Sequence, residues 1–193
     1  MQAAPGEAIT AAAPQPGEVD GESAPLRVLS GATSTTPAPG KFRILMAVMA
    51  LVLYALDQFT KHVVLQKLTV GDPIEVVPGL LWWSLHFNPG AAFSMGTQFT
   101  VAIAVLALCV LVALMGIVAP RVRGWLTAVA VSWLMAGVAG NLTDRLFRAP
   151  GPFRGYVVDF IAVRSFAVFN VADMCITGAA ILLIIWSVRS ERR

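Results

Sequence analysis

Charge is scarce in this chain: Asp, Glu, Lys and Arg make up 13% of its residues, 57% are hydrophobic, and the mean hydropathy is +0.74. Soluble domains carry about 25% charged residues, so this balance excludes an ordinary water-soluble globule and points to a membrane. Histidine and cysteine number two each. Cys109 and Cys175 both fall in apolar runs, where neither a disulfide nor a zinc site finds its spacing, and they read as ordinary buried thiols. Cys175, close after Asp173, could line a site but lacks a histidine partner for nucleophilic work. No His/Cys/Glu cluster has metal-ligand spacing and no glycine-rich phosphate loop occurs, so no metal or cofactor is expected. His62, beside Lys61, reads as solvated at an interface, and His86 as a surface residue of a strand.

Residues 1–40 lack any apolar run long enough to pack, and they hold half of the 12 prolines. With Ala, Gly, Ser and Thr filling most of the rest, this is the composition of a disordered tail, expected to be dispensable for activity. The basic and apolar regions of a signal peptide are missing from it as well. Glu7, Glu18, Asp20 and Glu22 face only Arg27 there, a local charge of −3, so the net +3 of the chain leaves +6 for the remainder. Basic residues flanking apolar spans set topology and meet anionic headgroups, so no nucleic-acid partner is called for.

Long apolar runs are what the chain does have. Every residue from Ile44 to Leu56 is apolar, and the run extends through Asp57 and Lys61 to Leu65. Further runs cover Val101 to Ala119, ended by Pro120, then about Trp125 to Leu142 and about Asp173 to Val188. Each approaches the roughly 20 residues a helix needs to cross a bilayer. The expected fold is therefore an α-helical integral membrane protein with four transmembrane helices, the membrane domain covering residues 41–190. Gly137 and Gly140 in the third run offer the small-residue spacing that lets helices approach closely. Four spans put both termini on one side, together with Lys41, Arg43, Arg121, Arg123, Arg189, Arg192 and Arg193, which marks that side as cytoplasmic. Lys61, Lys67, Arg145, Arg148, Arg154 and Arg164 fall on the other side. Between the first two spans, at about 68–98, a small extracytoplasmic β-sheet is expected. Ile74–Val77 and Leu81–Phe87 flank Pro78-Gly79, and a turn-like Asn88-Pro89-Gly90 follows. Trp82 and Trp83 could anchor this sheet at the membrane interface.

Four aspartates gather at the outer ends of the spans. Asp57 lies near the end of the first, Asp144 at the end of the third, Asp159 in the loop that follows, and Asp173 at the start of the fourth. A charge at the bilayer centre costs about 2.5–3.5 kcal/mol, so such a gathering reads as a functional site. Two quartets repeat one pattern, Asn141-Leu142-Thr143-Asp144 and Asn170-Val171-Ala172-Asp173. An Asn three residues before an Asp shares its helical face and can bond the carboxylate or a substrate backbone. Two carboxylates held close share a proton, one acting as base toward a water while the other donates to a carbonyl. The bland alternative is that Asn141 and Asp144 cap a helix end and Asp144 pairs with Arg145. Spacing alone leaves Asp144 an equal candidate to accompany Asp173.

The ordered set Asp57-Gln58-Phe59-Thr60-Lys61, Asn88-Pro89-Gly90-Ala91-Ala92-Phe93-Ser94, Gly140-Asn141-Leu142-Thr143-Asp144-Arg145, Val157-Val158-Asp159-Phe160 and Phe169-Asn170-Val171-Ala172-Asp173 resembles lipoprotein signal peptidase, also called signal peptidase II. The resemblance covers about residues 42–188. It implies a membrane aspartic endopeptidase that removes signal peptides from prolipoproteins, cleaving before a diacylglyceryl-modified cysteine. Its partners would be those substrates and membrane lipid. Its place would be the bacterial cytoplasmic membrane, with the active site toward the outer leaflet. The same resemblance makes Asp159 and Asp173 the catalytic pair, and makes Asn141, Arg145 and Asn170 polar residues lining the site. Asp57 becomes a structural support, Asn88 the start of the sheet motif that cradles substrate, and Asp144 a partner of Arg145. Residues 149–154 look longer than the family pattern and 161–168 shorter, while Phe87 and Pro89 stand where other residues are common. Two rivals remain. A small proton-coupled transporter would spread its acids through the membrane depth and show inverted repeats. A non-catalytic scaffold would tolerate Asn at either aspartate.

Overall fold

In a computed structural model, the described residues, 39–90 and 99–191, form four helices and four strands. The tail expected over residues 1–40 lies almost wholly outside the described residues, as do Ala91 to Ser94 of the Asn88 motif. Helix α1 spans Pro39–Lys67, α2 Thr100–Ala113, α3 Trp125–Phe147 and α4 Val171–Glu191. Strands β1 (Ile74–Val77) and β2 (Leu81–Asn88) connect α1 to α2; β3 (Val157–Val163) and β4 (Val168–Phe169) connect α3 to α4.

All four helices are long and apolar enough to cross a membrane, counting with α2 its continuation to Arg121. That continuation is a π-helical turn, Leu114–Val118, and a single 3-10 turn, Ala119–Arg121, where Pro120 ends the helical run. Helix α3 is innermost: 56% of its span is buried, against 11% for the first span. Leu51 on α1, Leu106 on α2 and Ile184 on α4 point outward, which suits a hydrocarbon surround that leaves apolar side chains no reason to turn inward. Cys109 also faces outward on α2, which corrects the expectation of a buried thiol; Cys175 is buried.

Helices that gain nothing from hiding apolar surface associate by close approach. At Gly137 an added Cβ would sit 2.5 Å from the Ala172 carbonyl oxygen of α4, and at Gly140 it would sit 2.5 Å from Asp57 Oδ2 of α1. The paired glycines therefore let α3 touch both neighbours, and one of them makes room for a carboxylate. At the opposite end of α1 and α3, Met46, Val122, Ala128 and Val131 form an apolar cluster.

The four strands form one antiparallel sheet in the order β1-β2-β3-β4. The sheet expected between the first two spans is thus only half of it, because β3 and β4 come from the later connection. Asp159, expected in a loop, lies in β3 with its backbone opposite His86 of β2. Strand pairing brings Asn88 and Asp159, distant in sequence, onto one face at one end of the helix bundle. The third span also runs on past Leu142 to Phe147, so the first quartet lies within a helix and does not cap one.

Candidate active site

The second quartet starts α4. Asn170 Oδ1 accepts the Asp173 backbone N–H at 2.9 Å, and Asp173 Oδ2 accepts the Asn170 backbone N–H at 3.1 Å. This reciprocal capping box fixes both side chains at the point where the chain leaves β4 and enters the helix. The next free N–H, that of Ala172, donates to Asp57 Oδ1 at 2.8 Å. Asp57 on α1 thus caps α4 from outside.

Amide side chains join the two acidic residues. Asn170 Nδ2 donates to Asp159 Oδ1 at 2.6 Å, and Asn88 Nδ2 donates to Asp159 Oδ2 at 2.9 Å. Asn141 Nδ2 donates to Asp173 Oδ1 at 2.7 Å, while its own oxygen accepts Asn170 Nδ2 at 3.2 Å. Asp159 and Asp173 therefore hang from two neighbouring amides that bond each other. Asp159 is 2% exposed. Burial pushes its carboxyl up to about 7, and the nearby Asp173 charge adds to the rise; the Asn88 and Asn170 amides and the Lys61 ammonium oppose it. Near neutrality this group is divided between its two protonation states, the condition for giving and taking a proton.

Arg145 reaches elsewhere. Its guanidinium donates to the Gly90 carbonyl at 2.8 Å and to the Asn141 carbonyl at 3.1 Å, tying the end of the β2 connection to α3. It is not the partner of Asp144, which corrects that expectation. Asp144, fully buried, pairs with Lys61 Nζ at 2.7 Å and with Arg148 Nε, and accepts the Val158 N–H at 3.3 Å. The i, i+4 geometry of α3 brings Arg148, not its immediate neighbour, over Asp144. Sequence reasoning missed Lys61, counted above as an outer-side charge. It is fully buried and bridges Asp57, at 2.9 Å, to Asp144. The signal was present: Asp57 and Lys61 stand four apart within the first membrane-spanning run, the spacing of a helical ion pair. His62 and His86 are both exposed, as expected.

An apolar groove of about 850 Å³ opens between α2, α3 and α4, with Leu106, Val110, Val138 and Ile181 in its walls and Asn88, Asn141, Asp159 and Asp173 on its lining. Among the described residues no group of three or more His, Cys, Asp or Glu could hold a metal ion. Ammonium, guanidinium and amide donors occupy the carboxylates instead. The arrangement can bind an extended apolar ligand and bring a polar bond within it to two acids.

Comparison with known proteins identifies the family. The profile of the family described as Signal peptidase (SPase) II matches residues 49–189. A lipoprotein signal peptidase of Mycobacterium avium (strain 104) is 42% identical over 158 residues, covering 80% of this chain and 86% of that protein. One from Streptomyces coelicolor (strain ATCC BAA-471 / A3(2) / M145) is 43% identical over 151 residues, covering 78% and 74%. A solved bacterial membrane enzyme superposes with a TM-score of 0.69 at 30% identity, covering 76% of this chain and 89% of that one. With the profile spanning most of its length and relatives above 40% identity, this chain belongs to the signal peptidase II family, a multi-pass protein of a bacterial membrane.

Proposed function

We propose that this protein is an aspartic endopeptidase that removes the signal peptides of prolipoproteins by cleaving before a diacylglyceryl-modified cysteine, with Asp159 and Asp173 as its catalytic pair. The observation that carries this reading is the shared amide scaffold: Asn170 and Asn141 bond one carboxylate each and also each other, at an apolar groove between helices. The signal-peptide helix and the acyl chains lie along the groove walls, and the scissile peptide reaches the acids. Asp173 takes a proton from a water whose oxygen attacks the peptide carbonyl. Asp159 gives its proton to the carbonyl oxygen; collapse of the tetrahedral intermediate returns that proton to Asp159 and breaks the C–N bond, while Asp173 passes the proton it took from water to the leaving amine of the lipidated cysteine. No acyl-enzyme forms. Asn88, Asn141 and Asn170 orient the carboxylates, and Arg145 holds the segment after β2 against the site.

The positive-inside distribution supports cytoplasmic termini and a site toward the outer leaflet, where the sheet end of the bundle meets a translocated substrate. The transporter alternative has no support. The relatives named above are signal peptidases, and the acids gather at one end of the bundle instead of tracing a path across it.

The test is cleavage of a diacylglyceryl-modified prolipoprotein by membranes holding the wild type, Asp159→Asn, Asp173→Asn or Asp144→Asn at equal level. The first two substitutions are expected to abolish product, while Asp144→Asn retains some activity per folded molecule. An active Asp159→Asn beside an inactive Asp144→Asn would reassign the pair.

A further inference from the structure

The mechanism above makes no use of Lys61, although it is a fully buried ammonium beside the reacting groups. Its three N–H donors are all engaged: Asp144 Oδ2 at 2.7 Å, Asp57 Oδ2 at 2.9 Å and Asn141 Oδ1 at 3.1 Å. Two carboxylates already compensate its charge, and Arg148 shares Asp144. The third bond goes to a neutral amide whose other end faces Asp173.

That amide has one workable orientation. Asn141 Oδ1 accepts from Lys61 Nζ and from Asn170 Nδ2, and Asn141 Nδ2 donates to Asp173 Oδ1. Turning it over would aim an NH2 group at two donors and a carbonyl oxygen at a carboxylate, losing three bonds together. Without the ammonium, only the shared hydrogen of Asn170 would hold the amide oxygen, and that donor group also serves Asp159 Oδ1 and the Val158 carbonyl. The preceding residue serves the same contact, since Gly140 leaves the space in which Asp57 Oδ2 meets Lys61.

We propose that Lys61 is a positioning residue for the cleavage reaction, its ammonium locking the Asn141 amide in the orientation that presents Nδ2 to Asp173. The inference rests on Asp173 being one of the catalytic pair. It assigns the Asp57–Lys61 pair of α1 a duty beyond holding helices together: Asp57 caps α4 directly, while Lys61 aims the amide that aims the acid.

The experiment compares Asp57→Asn with Asp57→Asn/Lys61→Met, each with and without Asn141→Ala, and includes Asp173→Asn as control. The double variant removes one positive and one negative group, so the Asp144–Arg148 pair stays balanced, and the amide oxygen that replaces the Asp57 carboxylate can still accept the Ala172 N–H. Adding Lys61→Met should lower kcat on a lipidated prolipoprotein about tenfold or more while KM stays within about twofold, because groove binding is untouched. In the Asn141→Ala background the same addition should change kcat less than about twofold, since the residue it acts through is gone. An unchanged kcat, or a full loss that persists in the Asn141→Ala background, overturns the proposal. Should the double variant fail to accumulate, Asp57→Asn/Lys61→Leu, which also lacks a donor at that position, takes its place in the same comparison; failure of both assigns Lys61 to folding and likewise overturns the proposal. An active Asp173→Asn control would instead sink the catalytic pair, a separate failure read in the same assay.

Discussion

In the quartet of α3 the two polar ends part company: Asn141 turns to Asp173 on another helix, while Asp144 turns into the ion cluster with Lys61 and Arg148. In the quartet of α4 the two ends bind each other around the first helical turn, and both also face the site. The residues at the ends are identical and the spacing is the same; the position relative to the helix start differs. Inside a helix every backbone N–H is taken, so Asn and Asp at that spacing must look outward for partners. At a helix start the free N–H groups are the partners, and the same spacing closes into a box. A repeat in sequence is therefore no repeat in function here. One aspartate is held at the groove and the other is walled in by cations.

The comparison can be broken first on activity. Asp173→Asn should reduce cleavage at least about a thousandfold with the protein level unchanged, while Asp144→Asn keeps cleavage per folded molecule within about tenfold. Equal losses from both would erase the distinction between the quartets. Stability should reverse the order. Asp144→Asn leaves Lys61 and Arg148 short of a buried partner, and removing one member of such a set costs about 3–5 kcal/mol, to be read by thermal unfolding in detergent. An unshifted unfolding curve would mean that the cluster is not structural.

The asparagines sharpen the same contrast. Asn170→Ala removes a helix cap and should cost about 1 kcal/mol of stability on top of its activity loss. Asn141→Ala, inside α3, should lower activity with a smaller change in unfolding temperature; the opposite ranking would deny Asn170 its capping role. The smallest effect is in pH. In the proposed mechanism Asp159 acts in its protonated form, and its carboxyl is raised to about 7, so kcat/KM should fall as pH rises through about that value, as the acid loses its proton. Asp144→Asn should leave this limb in place, because Asp144 is not on the groove; the profile belongs to the pair as a whole. A limb that vanished in Asp144→Asn would tie the first quartet to proton transfer after all.

Much of the molecule was legible in the chain. The four spans were visible because a helix in lipid must be apolar over its whole length. β1 and β2 were visible because Pro78-Gly79 separates two short β-prone runs. β3 was less legible although four of the seven residues of Val157–Val163 are β-branched, because Asp159 interrupts the apolar run, and β4 has only two residues to show. The nearest acid in sequence is a poor guide to the partner of Arg145, because neighbours on a helix lie three or four residues apart.

The sequence by itself determined that this chain crosses a membrane four times, that four aspartates gather at one end of the spans, and that five ordered motifs make it resemble a signal peptidase II. Hydropathy and motif order are local properties and survive in one dimension. Only the tertiary structure decided which partner each acid takes. Pairing of β2 with β3 brings Asn88 to Asp159, and the glycine contacts of α3 bring Lys61, Asn141 and Asp173 into one bonded line. The partner of a buried polar group is settled by which elements pack against it, and that packing is written in no single stretch of chain.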